Sequence, residues 1–367
     1  MNCDYRQILK KIEDTINNSL PSDQNTSLLN EIFFKNHYCA AYNPNSPLSA
    51  AALCEPCLEL LSRGGKRWRP LLMYLVCKAL GGGEAALPLS PLVELCHNAS
   101  LIHDDIEDNS DLRRGKPCIH KMYGIDTAIN SGSFLYFLPL TCIDRLEAPS
   151  EIKLRLYSIW AENMRRLHLG QSLDIYWHRS SAFIPQIDQY FTMCALKTGV
   201  LAKFAVLTGA LAAEISAGSE EKARFIAEQG NALSSAAEKI GIAFQILDDV
   251  KNLSSGIAGK TRADDIVEGK KSLPVILYLY GDQVDLNTDT PKHCTANPQR
   301  IEFMERCFKA AKSGGANVPE SALFIAALEQ SGAIEAANKT GVSMLNSAKQ
   351  FFTDLDVEFL DFFNLLA

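Results

Sequence analysis

Apolar residues recur along this chain at helical spacing. Leu92, Leu95, Ala99 and Ile102 follow one another at steps of three and four, as do Ile240, Phe244 and Leu247. Each set therefore shares one face of a helix. Long stretches rich in Ala, Leu, Glu and Lys, the residues that lose least on entering a helix, extend the pattern over most of the chain. No series of alternating strands stands out, and no Asn-Gly or Asp-Gly dipeptide offers a hairpin turn. Breaks fall at Asn43 to Pro47, Gly81 to Gly83, Arg179 to Pro185, Ser254 to Arg262 and Asp282 to Pro298. The last reads as a polar surface insertion, and none is long enough for a domain linker. The pattern predicts a single all-α domain over residues 1–367, one large bundle of ten or more helices.

Composition narrows the function classes. Of 367 residues, 47% are hydrophobic and 22% charged, as in ordinary globular proteins. Lys and Arg number 36 against 43 Asp and Glu, a net charge of −7. That balance speaks against a nucleic-acid partner, whose phosphates call for excess positive charge. No segment reaches the roughly 18 uninterrupted apolar residues of a membrane span. The best candidate, Ala195 to Ala213, carries Lys197 and Lys203. The first residues lack the basic-then-apolar order of a secretory signal, so a cytoplasmic location is expected. Eleven cysteines, spread from Cys3 to Cys307, are poor material for a disulfide framework. Cys54-x-x-Cys57 has no second such pair to complete a zinc site, so the thiols read as small buried apolar groups.

The chemistry concentrates in two acidic segments. In Leu101-Ile-His-Asp-Asp-Ile-Glu-Asp108, Asp104 and Asp108 lie four apart and share a helical face. Like carboxylates on one face repel unless a cation sits between them. The preceding turns (Cys96, Ala99, Leu101, Ile102) are apolar and small, so these acids emerge from a buried helix instead of forming an ordinary solvated face. In Phe244-Gln245-Ile-Leu-Asp248-Asp249-Val-Lys-Asn252, Gln245, Asp248 and Asn252 again fall on one face. Opposed across a bundle, the two segments would make an all-oxygen site suited to Mg²⁺ or Mn²⁺. Such an ion keeps positions open for substrate phosphates.

Clustered cations supply the counterpart. Gly64-Gly-Lys-Arg-Trp-Arg-Pro70 carries three positive charges beside flexible glycines, and Arg113-Arg114, Lys197-Thr198 and Lys260 add more. A basic run is often mere solvated surface. In an acidic protein, beside aspartate helices, these runs point to diphosphates bound partly through metal and partly through Arg and Lys directly.

Together the segments resemble the trans-isoprenyl diphosphate synthases, polyprenyl synthetases of the all-α class I fold, in particular those making geranylgeranyl and longer chains. The resemblance rests on Gly-Gly-Lys-Arg-Trp-Arg-Pro, Glu94-Leu-Cys-His97, Asp-Asp-Ile-Glu-Asp with Arg-Arg-Gly, and Gly170-Gln171-Ser-Leu-Asp174. It continues through Lys197-Thr198-Gly, Phe-Gln-Ile-Leu-Asp-Asp, Gly259-Lys260 and Asp265-Ile-Val-Glu-Gly-Lys270. It implies an Mg²⁺-dependent prenyltransferase, a homodimer, that joins an allylic diphosphate to isopentenyl diphosphate. Isopentenyl diphosphate would lie on Lys66, Arg69, His97 and Arg114, and the allylic diphosphate on Arg113, Lys197, Lys260 and Lys270. Asp104, Asp108 and Asp248 would hold metal, with Asp105 and Asp249 contributing through hydrogen bonds or waters. Thr198 and Gln245 would face the reacting carbon. The small Ala99 and Ser100, a turn before Asp104, would leave the product tunnel open to C20 or longer.

Asn252 and Ser133 stand where the family usually has Asp, and the loss of charge at Asn252 is expected to weaken metal binding at that end. Three other readings compete. A class I terpene cyclase would leave Gly64 to Pro70, His97 and Arg114 without a task. A non-catalytic subunit of a heteromeric synthase is usually betrayed by missing aspartates, most of which are present. A di-metal carboxylate bundle would need a second Glu-x-x-His beside Glu94-x-x-His97.

Overall fold

A computed structural model describes residues 3–21, 28, 31–33, 50–180, 183–254, 262–284, 286 and 293–366. The described residues are almost all helical, in the order α1 (Cys3–Asn17), α2 (Ala51–Ser62), α3 (Trp68–Ala79), α4 (Ser90–Glu107), α5 (Ile119–Tyr123), α6 (Ile125–Phe137), α7 (Leu140–Arg145) and α8 (Ser150–Arg179). There follow α9 (Ile187–Cys194), a π-helical turn (Ala195–Gly199), α10 (Val200–Glu214), α11 (Glu220–Leu253), α12 (Asp264–Glu268), α13 (Leu273–Tyr280), α14 (Pro298–Gly314), α15 (Pro319–Gln330), α16 (Ala333–Leu355) and α17 (Phe359–Leu366). The all-α expectation therefore holds.

One departure from it is a two-stranded ribbon, β1 (Leu112–Arg113) paired antiparallel with β2 (Lys116–Pro117). Its two-residue turn is Arg114-Gly115, with φ of 54° and 76°. Both central residues of such a turn need positive φ, which Gly adopts freely and Arg only under strain. The usual Asn-Gly or Asp-Gly signal is thus replaced by a sequence that does not advertise a hairpin.

The chain divides into two compact units whose segments alternate along the sequence. The first comprises Met1–Trp160, Phe204–Asn231 and Asp356–Ala367; the second comprises Ala161–Lys203 and Ala232–Leu355. The first is organised on α4, where Leu92, Val93, Leu95, Cys96, Ala99 and Ile102 have no accessible surface. Helices α1, α3 and α6 pack directly on it. Pro91 lies in the first turn of α4, where its missing N–H costs nothing. The helix stops at Glu107, with Asp108 as the C-cap and Asn109 in the left-handed region at φ 51°. A left-handed residue just past the cap is a common helix stop that Asn tolerates. The α4 terminus, and with it the aspartates, is thereby fixed in register. Every residue of α3 from Trp68 to Cys77 is buried, and α17 covers it with Phe362 against Trp68.

In the second unit, Trp177, Tyr190, Met193, Ile246, Leu273 and Ile276 form one apolar cluster. A second cluster is built on Phe324, whose ring meets those of Phe308, Tyr278 and Phe303 at centroid distances of 5.3, 5.8 and 5.9 Å. The apolar stretch Ile187–Glu214 is long enough to cross a membrane by length and composition, but 67% of its most apolar window is buried inside the protein. It is a core segment. Cys57 is buried beside Cys54, and burial pushes its thiol well up. A thiol of that kind packs as an apolar group. Replacing Phe324 with Ala removes a fully buried ring from the centre of its cluster. Urea denaturation of Phe324→Ala should show a loss of about 3–5 kcal/mol, with a smaller loss for Phe324→Leu.

Candidate active site

In the first unit, Asp104 and Asp108 occupy the last turn of α4, with the Asp108 N–H donating to the Asp104 carbonyl at 2.9 Å. Both side chains are half-buried, whereas Asp105 is buried. Arg113 explains the difference. Its Nε donates to Asp105 Oδ1 at 2.7 Å, its Nη2 bonds the same oxygen, and Nη2 reaches Asp104 Oδ2 at 3.3 Å. Asp105 is thus turned onto Arg113, leaving Asp104 and Asp108 as the carboxylates on the accessible face. The β-ribbon is what delivers Arg113 to this place. Arg114, strained in its turn, is held by Nη1 bonds to the carbonyls of Gly64 and, at 3.5 Å, Leu60.

His97 lies two and three turns before these carboxylates, half-buried, its Nδ1 atom shielded and with no hydrogen-bond partner. Burial first, and then the charges of Arg69, Arg114, Arg113 and Arg67, hold its ring well below the usual histidine range. The imidazole is therefore neutral amid four guanidinium groups. Arg67, at φ 47°, donates to Glu13 Oε2 at 2.7 Å, to Glu94 Oε1 at 2.8 Å and to the Leu61 carbonyl at 2.8 Å. Arg69 lies 4.3 Å over the Trp68 ring. Lys66 Nζ donates to the carbonyls of Leu365 and Leu366, both at 3.1 Å, at the end of α17. Ala99 is buried beneath, and Ser100 Oγ returns a bond to the His97 carbonyl at 2.8 Å. His103 places Nδ1 2.9 Å from the Ala99 carbonyl and Nε2 3.4 Å from Ser133 Oγ.

The second unit carries its own cluster. Lys197 and Thr198 sit in the π-helical turn, a bulge of the kind that often marks functional sites. Two glycines make room for it. A Cβ on Gly170 would lie 2.4 Å from the Lys197 backbone nitrogen, and one on Gly241 the same distance from Gly199 Cα. Lys197 donates to Asp174 Oδ2 at 2.5 Å, and His178 Nε2 lies 2.8 Å from Oδ1. Burial opposes ionisation of Asp174, yet Lys197, His178 and Lys270 hold it well below the usual carboxylate range. Thr198 Oγ1 donates to Gln245 Oε1 at 2.9 Å. Asp249 is buried, and burial together with Asp265 pushes its carboxyl well up against the pull of Lys270 and the Tyr190 hydroxyl. Lys270 pairs with Glu268 and, at 3.4 Å, with Asp265 Oδ1.

Asp248 is exposed, while Asn252 on the same helix is buried. Asn252 accepts the Ala263 N–H at 3.1 Å through its carbonyl and the Asp265 N–H at 3.4 Å through Oδ1. It pins the chain ahead of α12, a task the shared-face reading did not foresee. Lys260 lies outside the described residues.

The polyprenyl synthetase family model matches residues 50–309. The chain belongs to that family. It is 35% identical over 230 residues to a geranylgeranyl pyrophosphate synthase of Neocamarosporium betae, covering 62% of this chain and 61% of that protein. To geranylgeranyl pyrophosphate synthase 2 of Zymoseptoria tritici it is 31% identical over 266 residues, 70% of this chain and 74% of the other. The crystal structure of geranylgeranyl pyrophosphate synthetase from Pyrococcus horikoshii superposes with a TM-score of 0.69 at 26% identity, covering 95% of this chain and 92% of that one. The chain thus spans about three fifths of the Neocamarosporium relative.

Polyprenyl synthetases work with a divalent metal, and the donor set here suits one. Among the described residues no group of three or more His, Cys, Asp or Glu is arranged to hold an ion alone. Two accessible aspartates on one helical turn are what Mg²⁺ takes when waters and substrate phosphates complete its shell.

The neutral His97 has a measurable signature. An unfolded chain protonates histidine near pH ~6.5. The folded protein refuses that proton, so His97 has no effect on stability above this pH and lowers stability progressively as pH falls below it. Between pH 7.5 and 5.5, the Tm of His97→Gln should fall less than that of the wild type. The His97 ring resonances should stay flat across the same range; a titration there would mean the pocket holds a charged imidazole.

Proposed function

We propose that the chain is an Mg²⁺-dependent prenyltransferase that condenses an allylic diphosphate with isopentenyl diphosphate into a trans-polyprenyl diphosphate of C20 or longer. Mn²⁺ would substitute chemically. The observation that carries this reading is the half-buried, neutral His97 with the charges of Arg69, Arg114, Arg113 and Arg67 around it, on the helix that ends in Asp104 and Asp108. So much positive charge around a neutral group suits a polyanion, and the aspartates suit the metal that travels with a diphosphate.

In this reading Lys66, Arg69, His97 and Arg114 take isopentenyl diphosphate, the imidazole adding a hydrogen bond without further charge. Arg113, Lys197, Lys270 and Lys260 take the allylic diphosphate. Asp104, Asp108 and Asp248 hold Mg²⁺, which when bound withdraws charge from the leaving diphosphate. Asp105 orients Arg113, whose guanidinium stabilises the charge that develops as the allylic C–O bond breaks and its electron pair leaves with the diphosphate. The alkene of isopentenyl diphosphate then supplies the electrons of the new C–C bond, and a proton passes to the departed diphosphate. Thr198 and Gln245 line the cationic carbon with oxygen atoms.

We further propose that residues 1–367 act as one catalytic domain, as a cytoplasmic homodimer. Ile125, Ile129 and Phe137 on α6 and Leu154 on α8 are exposed apolar side chains, 46–67% accessible, suited to burial against a second copy. The relatives named geranylgeranyl pyrophosphate synthases favour a C20 product.

The test is incubation with isopentenyl diphosphate, Mg²⁺ and allylic primers of several lengths, with products sized after dephosphorylation. Elongated prenyl alcohols are expected, and EDTA should abolish them. Cyclic hydrocarbon would indicate a terpene cyclase, and no product from the folded chain alone would indicate a non-catalytic subunit. Asp104→Ala or Asp248→Ala should lower kcat by several orders of magnitude, since the charge they organise develops mainly in the transition state.

Product length gives a separate check. Ala99 is fully buried one turn inside α4 from Asp104. Ala99→Phe should fill the tunnel and shift products toward C15 while the first condensation survives. Unchanged lengths in a folded variant would place the tunnel floor elsewhere.

A further inference from the structure

Three hydrogen bonds in the second unit form a chain that converges on Asp249. Tyr190 on α9 donates through its hydroxyl to Asp249 Oδ2 at 3.0 Å. Gln245, one turn earlier on α11, donates through Nε2 to Asp249 Oδ1 at 3.0 Å. Thr198, in the π-helical turn, donates to Gln245 Oε1 at 2.9 Å. The Gln245 amide therefore turns its NH₂ to Asp249 and its carbonyl oxygen to Thr198. That leaves Gln245 Oε1 to accept the single Thr198 proton, and the Thr198 oxygen keeps its lone pairs for another neighbour. With the amide turned over, Nε2 would donate to Thr198 and the hydroxyl proton would be freed to point outward, which a nearby cation would oppose.

Tyr190 belongs to an apolar cluster in which a Phe would pack as well. Its hydroxyl reaches Asp249, with Cys194 beside it. Burial, followed by the charge of Asp249, pushes the phenol well up, so it stays protonated and donates. The bond to Oδ2 fixes the carboxylate plane and so the oxygen offered to Gln245.

We propose that Tyr190 is a positioning residue: through Asp249 it sets the orientation of the Gln245 amide, which in turn aims the Thr198 oxygen, not its proton, at the carbon that becomes cationic. The assignment rests on the prenyl-transfer reading. It gives Asp249 a task separate from that of the exposed Asp248, as the fixed end of a relay.

The experiment is a double-mutant cycle in steady-state turnover of the full chain with Mg²⁺, isopentenyl diphosphate and a C15 allylic diphosphate. Tyr190→Phe should lower kcat by about tenfold while both KM values stay within about twofold, because alignment at the reacting carbon is lost and diphosphate binding is not. In a Gln245→Leu background the same substitution should cost nothing more, because the relay is already cut. An unchanged kcat in folded Tyr190→Phe, an equal loss in both backgrounds, or an effect on KM alone overturns the role. Should Tyr190→Phe not fold, 3-fluorotyrosine at position 190 keeps the shape and strengthens the donor. Its kcat should change in the wild-type background and not in Gln245→Leu, and no change in either overturns the proposal. Absence of product from the wild type with any primer overturns the prenyl-transfer reading itself, whereas an active wild type with an indifferent Tyr190 overturns only this assignment.

Discussion

Four like charges gathered around one neutral ring repel each other, and the first unit is arranged around containing that repulsion. Each guanidinium near His97 is offset differently. Arg67 is held by Glu13 and Glu94, Arg113 by Asp105 and Asp104, Arg114 by backbone carbonyls, and Arg69 lies over Trp68. A fifth positive charge is avoided by keeping His97 neutral. The ion pair of Arg67 with Glu94, both side chains almost fully buried, would be costly to break because either partner would be left as an uncompensated buried charge.

The same containment is written into the backbone. Four described non-glycine residues have positive φ, and two of them are Arg67 and Arg114. Positive φ strains a long side chain, and it persists only where surrounding bonds over-determine it. For Arg67 these are the two carboxylates and the Leu61 carbonyl; for Arg114 they are the Gly64 and Leu60 carbonyls. The second unit holds its irregularity in the π-helical turn, which shifts Lys197 and Thr198 off the α-helical register and which Gly170 and Gly241 accommodate by close approach. In both units the backbone departs from regularity where cationic or hydroxyl groups must be aimed.

Much of this was legible in the amino-acid sequence, because helical periodicity and carboxylate spacing are local properties. Asp104 and Asp108 stand on one turn since four residues make a turn, and α4 stops after them since Asn109 accepts a left-handed cap. What sequence reading missed depends on distant partners. Nothing local marks Arg67 as the partner of Glu13 and Glu94, and nothing in Arg114-Gly115 announces a hairpin turn. Asn252 follows the spacing of an exposed ligand, but the chain ahead of α12 comes back to bond its carbonyl and side chain. Gly170 was visible as part of a motif, but its reason, the Lys197 backbone nitrogen against it, requires the fold.

The second unit inverts the electrostatic problem of the first. There the excess charge is negative: Asp174, Asp249 and Asp265 are buried, and Lys197 and Lys270 are the described lysines that offset them. Asp174 takes Lys197 and His178 and is held fully ionised; Asp249 has a share in Lys270 and a phenol, and is pushed up. The unequal division follows from geometry, since Lys270 pairs with Glu268 and Asp265. Asp249 nonetheless accepts from Tyr190 through Oδ2 and from the Gln245 amide through Oδ1, which leaves the Gln245 carbonyl oxygen to Thr198. The orientation of a neutral amide thus depends on how a buried set of like charges shares too few counter-ions.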